Sequence, residues 1–313
     1  MKNKYVITGG SGFIGSGLVR ALQERGGDAH IVVLDNLLTG HKKNLDGLAG
    51  TVDFHHLDIR DYEAIAPVIA GADTVFHLAA IPSVPKSIDE PVPSHDVNIN
   101  GTFNVLRAAK DGGVRRLVYA ASSSAYGDTA VLPKVESMKV MPKSPYALQK
   151  LVGEFYCNIF TTCFGLETIG LRFFNVYGPR QDPMSPYSGV LSLFMKHLIA
   201  RTAPTIHGDG EQTRDFTFVE DVAGLVIKAS TAGVPGTTYN AGDGGRYSLN
   251  AIWSMLQKIE GVEIQPTYGP GRAGDVRDSQ ADTTAAKRDL GHDPQFSIEE
   301  GLKRTLEWYK TAL

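Results

Sequence analysis

The chain is poor in the features that would tie it to a disulfide scaffold, a membrane or a nucleic acid. It has 313 residues but only two cysteines, Cys157 and Cys163. They lie close together in a stretch of helical spacing. That is neither a disulfide framework nor a metal-ligand pattern, so both read as buried thiols and no metal is expected. No run of roughly 18 or more apolar residues occurs, so no segment suits a membrane-crossing helix. An excess of one charge is also missing. Lys and Arg total 31 against 34 Asp and Glu, a net charge of -3. Nothing electrostatic therefore favours nucleic acid or an anionic membrane as partner. Internal repeats and low-complexity tracts are absent. "KYVITGG" reads as a strand from its start, leaving no room for a signal peptide. The expectation is a cytoplasmic protein of enzyme size, with 42% hydrophobic and 21% charged residues, the usual balance of a folded domain.

What the sequence does have is alternation. Short β-rich apolar runs ("KYVITG", "HIVVLD", "VDFHHLD", "TVFHLAA", "RRLVYAAS", "LETIGLRF") alternate with helical patterns such as "GSGLVRALQERG" and "NGTFNVLRAAKDGG". Runs apolar on both faces, separated by helices, predict an α/β fold: a doubly wound parallel sheet of Rossmann type. In such sheets ligands sit beyond the carboxyl ends of the strands. After Phe174 the texture changes. "NVYGPRQDPMSPYSG" reads as a long loop. "FMKHLIAR", "LNAIWSMLQKIEG" and "SIEEGLKRTLEWYK" supply further helices, and "GTTYNAG" one more strand returning to the main sheet. The expected division is a larger unit of residues 1–174 plus about 216–243, and a smaller, discontinuous α/β unit of about 175–215 plus 244–313.

"VITGGSGFIG" follows the first strand and opens a helix, with Gly9, Gly12 and Gly15 three apart. This spacing allows a tight turn, lets a pyrophosphate approach the main chain, and packs helix against strand. The helix amino terminus supplies free N–H groups and partial positive charge. Asp35 ends the second strand, where a carboxylate can accept bonds from both hydroxyls of an adenosine ribose and repel a 2′-phosphate. The pattern predicts a dinucleotide, NAD rather than NADP, although Lys42 and Lys43 stand nearby. Asp58, in "LDIRD", stands where it could reach an adenine amino group. Ala79 and Ala80, in "HLAA", leave room for the cofactor's middle.

"MPKSPYALQK" holds a tyrosine and a lysine four apart. In a chain with 12 tyrosines that spacing alone carries little weight. Ser144 and Pro145, however, make a good helix start. Tyr146 and Lys150 then share one helix face, beside the serines of "VYAASSSAYG".

These motifs together place a resemblance. Over essentially its whole length the chain resembles the extended short-chain dehydrogenase/reductase family, through "TGGSGFIG", "HLAA", "SSSAYG" and "SPYALQK". The resemblance implies an NAD-dependent enzyme with Ser122, Tyr146 and Lys150 as its catalytic residues. Tyr146 would be the base toward a substrate hydroxyl, its pKa lowered by Lys150 and by a positive nicotinamide ring. Lys150 would also hold the nicotinamide ribose, and Ser122 would orient the hydroxyl. It implies further cofactor contacts at Phe13, Ile14, Asn36, Gly40, Ile59, Leu78 and Phe174.

"FFNVYGPRQDP", "GDGEQTRDFTFVEDV" and "GRAGDVRDSQAD" resemble the nucleotide-sugar branch. There Asn175, Arg214 and Arg272 match positions that hold UDP, and Asp275 one near the uridine ribose. Ser123 and Ser124 stand where dehydratases and decarboxylases of this branch carry acidic residues, which disfavours those reactions. What remains is 4-epimerisation, as in the bacterial UDP-N-acetylglucosamine and UDP-glucose 4-epimerases that the chain most resembles. Ser124, and Val190 at the end of the long loop, are further expected sugar-side contacts. Ser279 is small, where a bulky residue would exclude an N-acetyl group. A UDP-glucuronate 4-epimerase, with Lys86 facing a C6 carboxylate, and a non-catalytic NAD-binding regulator stay open as alternatives. The resemblance also implies a homodimer, formed by the helices of "VNINGTFNVLRAAK" and "YALQKLVGEFYCNIF".

Overall fold

Seven strands pair edge to edge into one sheet, and every pairing is parallel. They are β1 (Lys4–Thr8), β2 (His30–Leu34), β3 (Asp53–His55), β4 (Thr74–His77), β5 (Arg116–Ser122), β6 (Glu167–Phe173) and β11 (Thr237–Ala241). Their spatial order is β11-β6-β5-β4-β1-β2-β3. The direction of winding therefore reverses between β1 and β4, which opens a crevice beyond their carboxyl ends. The structure is a computed structural model and describes residues 3–26, 29–48, 52–182, 189–271 and 276–312.

The apolar runs are continuous because both sheet faces are covered. Successive strand residues point to opposite sides. Val6, Val32, Val75 and Leu117 enter one core, against α2 (Tyr62–Ile69), α5 (Thr102–Asp111) and α6 (Pro145–Phe164). Their neighbours Ile7, Val33, Phe76 and Val118 enter the other, against α1 (Phe13–Glu24) and α8 (Val219–Ala229). There α10 (Thr284–Leu290) adds Ala286 and Leu290. A third core gathers Phe194, Trp253, Leu302 and Tyr309 from α7 (Val190–Ile199), α9 (Leu249–Glu260) and α11 (Ile298–Ala312). Short pairs flank it: β7 (Asn175–Tyr177) with β10 (Phe216–Phe218), β8 (Thr205–His207) with β13 (Thr267–Gly269), and β9 (Thr213–Arg214) with β12 (Tyr247–Ser248).

Three sequence expectations need correcting. "NVYGPRQDPMSPYSG" is not loop throughout. Its first three residues form β7, because buried Tyr177 and its neighbours pair with a strand some forty residues away, which no local window registers. Val190 is not in a loop but is the first residue of α7. Cys157 is buried, but Cys163 is exposed, on the outward side of the last turn of α6. The proline-rich stretch after "HLAA" also folds into two short helices, α3 (Val84–Asp89) and α4 (Pro91–His95). Their prolines stand in the first turn, where no N–H is needed. A π-helical turn, Asp96–Gly101, leads from α4 into α5.

Candidate active site

The glycine-rich turn leaves β1 at the switch point. Gly9 has φ +72°, and a Cβ there would lie 2.7 Å from the Ala79 nitrogen. A Cβ on Gly15 would strike the Gly9 carbonyl oxygen. Both positions thus exclude any side chain, and the turn presents bare main chain to the crevice. Gly40 does not line the crevice. It packs on the back of the turn, where a Cβ would come within 2.9 Å of Ser11. The turn is further held by Asn44, whose amide donates to the Ser11 carbonyl at 2.9 Å.

Asp35 follows β2 directly and serves both structure and crevice. One carboxylate oxygen accepts the Ser11 N–H at 2.9 Å and the other the Leu37 N–H at 2.8 Å. Each oxygen keeps a second lone pair for a ligand hydroxyl. Asp58 is placed differently. Its carboxylate is taken up by Arg60, at 2.7 and 3.0 Å, and by Asn36 at 2.8 Å. The Arg60 guanidinium holds its pKa down to about 2. Asp58 lies outside the crevice lining, and its neighbour Ile59 takes that place.

The crevice is a cavity of about 690 Å³. Gly9, Gly12, Phe13, Ile14, Gly15, Asp35, Asn36 and Ile59 line one end, with Leu78, Ala79 and Ala80 beside them. Ser122, Tyr146, Lys150, Phe174 and Lys86 line the same cavity. Tyr146 and Lys150 owe their place to local sequence. The Ser144 hydroxyl caps α6 by accepting the Ala147 N–H at 3.2 Å, and Pro145 opens the first turn. Tyr146 falls in that turn and Lys150 one turn on. Ser87 of α3 accepts the Tyr146 N–H at 3.1 Å, tying the "IPSVPKS" segment to α6.

The electrostatics of the bare protein run opposite to the expectation for Tyr146. Loss of water around the phenol pushes its pKa up to about 12, with the Ser122 hydroxyl opposing. Burial pulls Lys150 down to about 8, and its ammonium donates to the Ala120 carbonyl at 2.9 Å. The protein's own groups therefore leave Tyr146 protonated at neutral pH. Ionising it requires positive charge brought by a ligand. The Ser122 and Ser124 hydroxyls lie 2.8 Å apart and share a hydrogen bond.

The residues expected at the substrate end converge beside the cavity rather than on its lining. The Asn175 side-chain amide reaches Ser279 Oγ at 3.4 Å. The Ser279 N–H donates to the Thr213 carbonyl at 3.1 Å, next to Arg214. The Arg214 guanidinium donates to the carbonyls of Thr213 and Arg277, at 2.9 and 2.8 Å. Val190 is half-buried at the start of α7. Arg272 and Asp275 lie outside the described residues. Lys86 stands 3.8 Å from Glu90 across one helical turn.

Sequence reasoning passed over several residues of the crevice. Ile81, Pro82, Ser83, Gln181 and Asp182 line it, as does His41, whose ring nitrogen lies 3.3 Å from the Asp182 carboxylate. His77, behind the crevice, bonds Thr8 at 2.7 Å and Thr102 at 3.0 Å. Complete burial holds it neutral, with a pKa of about 3. It braces β1 and β4 against α5. The only sequence signal was a histidine in an apolar run, more often a core residue than a reactive one.

One crevice thus carries a phosphate-binding turn at one end and a Ser, Tyr and Lys set at the other, the division of labour that defines a short-chain dehydrogenase/reductase. The chain belongs to the NAD-dependent epimerase/dehydratase family, whose model matches residues 5–242. NAD is its cofactor, and the bare glycine turn and the 2′-hydroxyl-compatible Asp35 fit that molecule. A UDP-glucose 4-epimerase of Mycolicibacterium smegmatis is 37% identical over 97% of this chain and 98% of its own. The fold matches a UDP-N-acetylglucosamine 4-epimerase of Methanobrevibacter ruminantium, solved with UDP-N-acetylmuramic acid. There the TM-score is 0.95 and the identity 33%, with 100% of both chains covered. It also matches the NAD complex of a Thermus thermophilus UDP-glucose 4-epimerase, with a TM-score of 0.89 and 32% identity over 99% of this chain and 100% of the other.

Proposed function

We propose that the protein is an NAD-dependent UDP-sugar 4-epimerase. It interconverts UDP-GlcNAc with UDP-GalNAc and UDP-glucose with UDP-galactose. The observation that carries this reading is the pairing of Ser122 with Ser124 beside Tyr146. The groups next to Ser122 are hydroxyls, too weakly basic to take a proton from carbon. That leaves proton transfer at the C4 oxygen alone.

NAD held along Gly9, Gly12, Gly15 and Asp35 would supply reversible hydride transfer at C4. Tyr146 accepts the proton of the C4 hydroxyl and later returns it to the C4 oxygen, so protons and electrons balance over a cycle. Ser122 hydrogen-bonds that oxygen in both halves. Lys150 keeps positive charge beneath the site, and the Ala120 carbonyl fixes its ammonium. Asn175 and Arg214 anchor the UDP end, leaving the 4-keto sugar free to turn its other face, and Ser279 leaves room beside the sugar's C2. Arginine suits the diphosphate because its planar fork matches two oxygens at once.

A second reading, epimerisation of UDP-glucuronate, is favoured by one observation: Lys86 lines the cavity and could meet a carboxylate. A non-catalytic role is opposed by the presence of Tyr146 and Lys150 together on that lining. We further take the protein to work as a cytoplasmic homodimer. The test is incubation with UDP-GlcNAc, UDP-glucose and UDP-glucuronate, each with and without added NAD, followed by chromatography of the products. Conversion of the two neutral sugars is expected. Conversion of UDP-glucuronate alone installs the second reading, and conversion of none removes the epimerase assignment.

A further inference from the structure

Asp215 is fully buried, at 0% exposure, between β9 and β10. Among the described residues it takes part in no salt bridge. Its carboxylate is instead filled by four neutral donors. One oxygen accepts the Asp243 N–H at 2.9 Å and the Thr217 hydroxyl at 3.3 Å. The other accepts the N–H groups of Gly244 at 2.9 Å and Ala281 at 3.0 Å. The Asp215 carbonyl receives both the backbone N–H of Asn175, at 3.0 Å, and its side-chain amide, at 3.1 Å. A Cβ on Gly242 would lie 2.8 Å from the carboxylate, so the chain passes there as bare backbone.

Burying a carboxylate without a countercharge is costly, and apolar packing would stabilise the fold at least as well. What this arrangement secures is relative position. Arg214 precedes Asp215, Asn175 is bonded to its carbonyl, and Ser279 stands two residues before the Ala281 it holds. These three come from distant parts of the chain and meet at Asp215: its carboxylate holds the segment of Ser279, its main-chain carbonyl holds Asn175, and Arg214 adjoins it in the chain. We infer that Asp215 is the positioning residue of the nucleotide-sugar site, locking Asn175, Arg214 and Ser279 into one rigid constellation. The inference rests on the UDP-sugar reading above.

The test uses Asp215→Asn in the NAD-loaded protein. An amide turns one of the two oxygens into N–H2, so the backbone N–H of Asp243, or those of Gly244 and Ala281, lose their acceptor while size and the main-chain bonds to Asn175 are kept. UDP affinity by calorimetry and KM for the sugar nucleotide should each weaken by roughly tenfold or more, the scale of a lost buried hydrogen bond to a charged group. Turnover at saturation and NAD content per chain should stay near parental values. Equal UDP affinity in variant and parent would overturn the inference. So would a parallel loss of kcat, NAD and folded protein, which marks a merely structural role. A parent that binds no UDP overturns the UDP-sugar reading itself, and this inference with it. A second measurement needs no variant. In the parent, hydrogen exchange at the Asp243, Gly244 and Ala281 amides should slow when UDP is bound, because ligand and clamp stabilise one conformation. Unchanged exchange there counts against the role.

Discussion

Tyr146 shows how little a spacing says by itself and how much its surroundings add. The bare site holds the phenol neutral, so ionisation is coupled to the arrival of positive charge. Tyr146→Phe should keep the fold and NAD content but lower turnover about a hundredfold or more, the usual contribution of a positioned acid–base group; steady-state rates settle it, and near-parental turnover removes Tyr146 from the mechanism. Asp35 makes a second prediction. Its carboxylate sits against the turn that carries the pyrophosphate, so a 2′-phosphate would bring negative charge to a fixed negative charge. NAD should bind more tightly than NADP in a direct titration, and equal affinities would mean that Lys42 or Lys43 compensates. Ser279 makes a third. It accepts a hydrogen bond from the Asn175 amide and is the proposed small residue beside the sugar's C2. Ser279→Tyr should abolish conversion of UDP-GlcNAc while sparing UDP-glucose, because a ring excludes only the bulkier sugar. If both activities fall together, the acetamido group is accommodated elsewhere.

At the scale of elements, α6 matters most, because its first turn carries Tyr146 and its second Lys150. Its start was legible: Ser144 as cap and Pro145 behind it are local signals, and both do what local chemistry predicts. Its end is equally local, at Gly165 with φ 75°. Ser144→Ala should cost about 1 kcal/mol of stability, read as a lower urea midpoint at unchanged slope. Elements defined by distant partners were the ones missed. β7 exists because β10 lies beside it. Asp58 is the same lesson for one side chain. It stands near the end of a strand as expected, yet Arg60 and Asn36, not the crevice, hold its carboxylate.

For the whole molecule, the face made by α5 and α6 is unusually apolar. Leu148, Phe155 and Ile159 fall on one stripe of α6, with Phe155 59% and Ile159 46% exposed, and Phe103 of α5 packs against Tyr156 at 5.4 Å beside them. Contiguous exposed apolar surface of this kind marks an interface, and two such helix pairs can pack as a four-helix bundle across a two-fold axis. Light scattering at micromolar concentration should give a dimer. Phe155→Glu with Ile159→Glu should shift it to monomer while the secondary-structure signal is kept. A monomeric parent would contradict the assembly.

The sequence by itself determined the sheet and the helix face that carries Tyr146 and Lys150. Both are encoded by neighbours in the chain: alternating apolar runs, glycines three apart, a capped helix with Tyr and Lys on one face. Short-range sterics and hydrogen bonding suffice to read such signals. Only the tertiary structure decided what the functional groups experience. That Tyr146 is raised and Lys150 lowered follows from the protein packed around them, and that Asn175, Arg214 and Ser279 share one patch follows from one buried residue, Asp215, whose main-chain carbonyl and carboxylate each bond a segment far away in the chain. Desolvation and long-range contact are properties of the folded volume, and no window of sequence contains them.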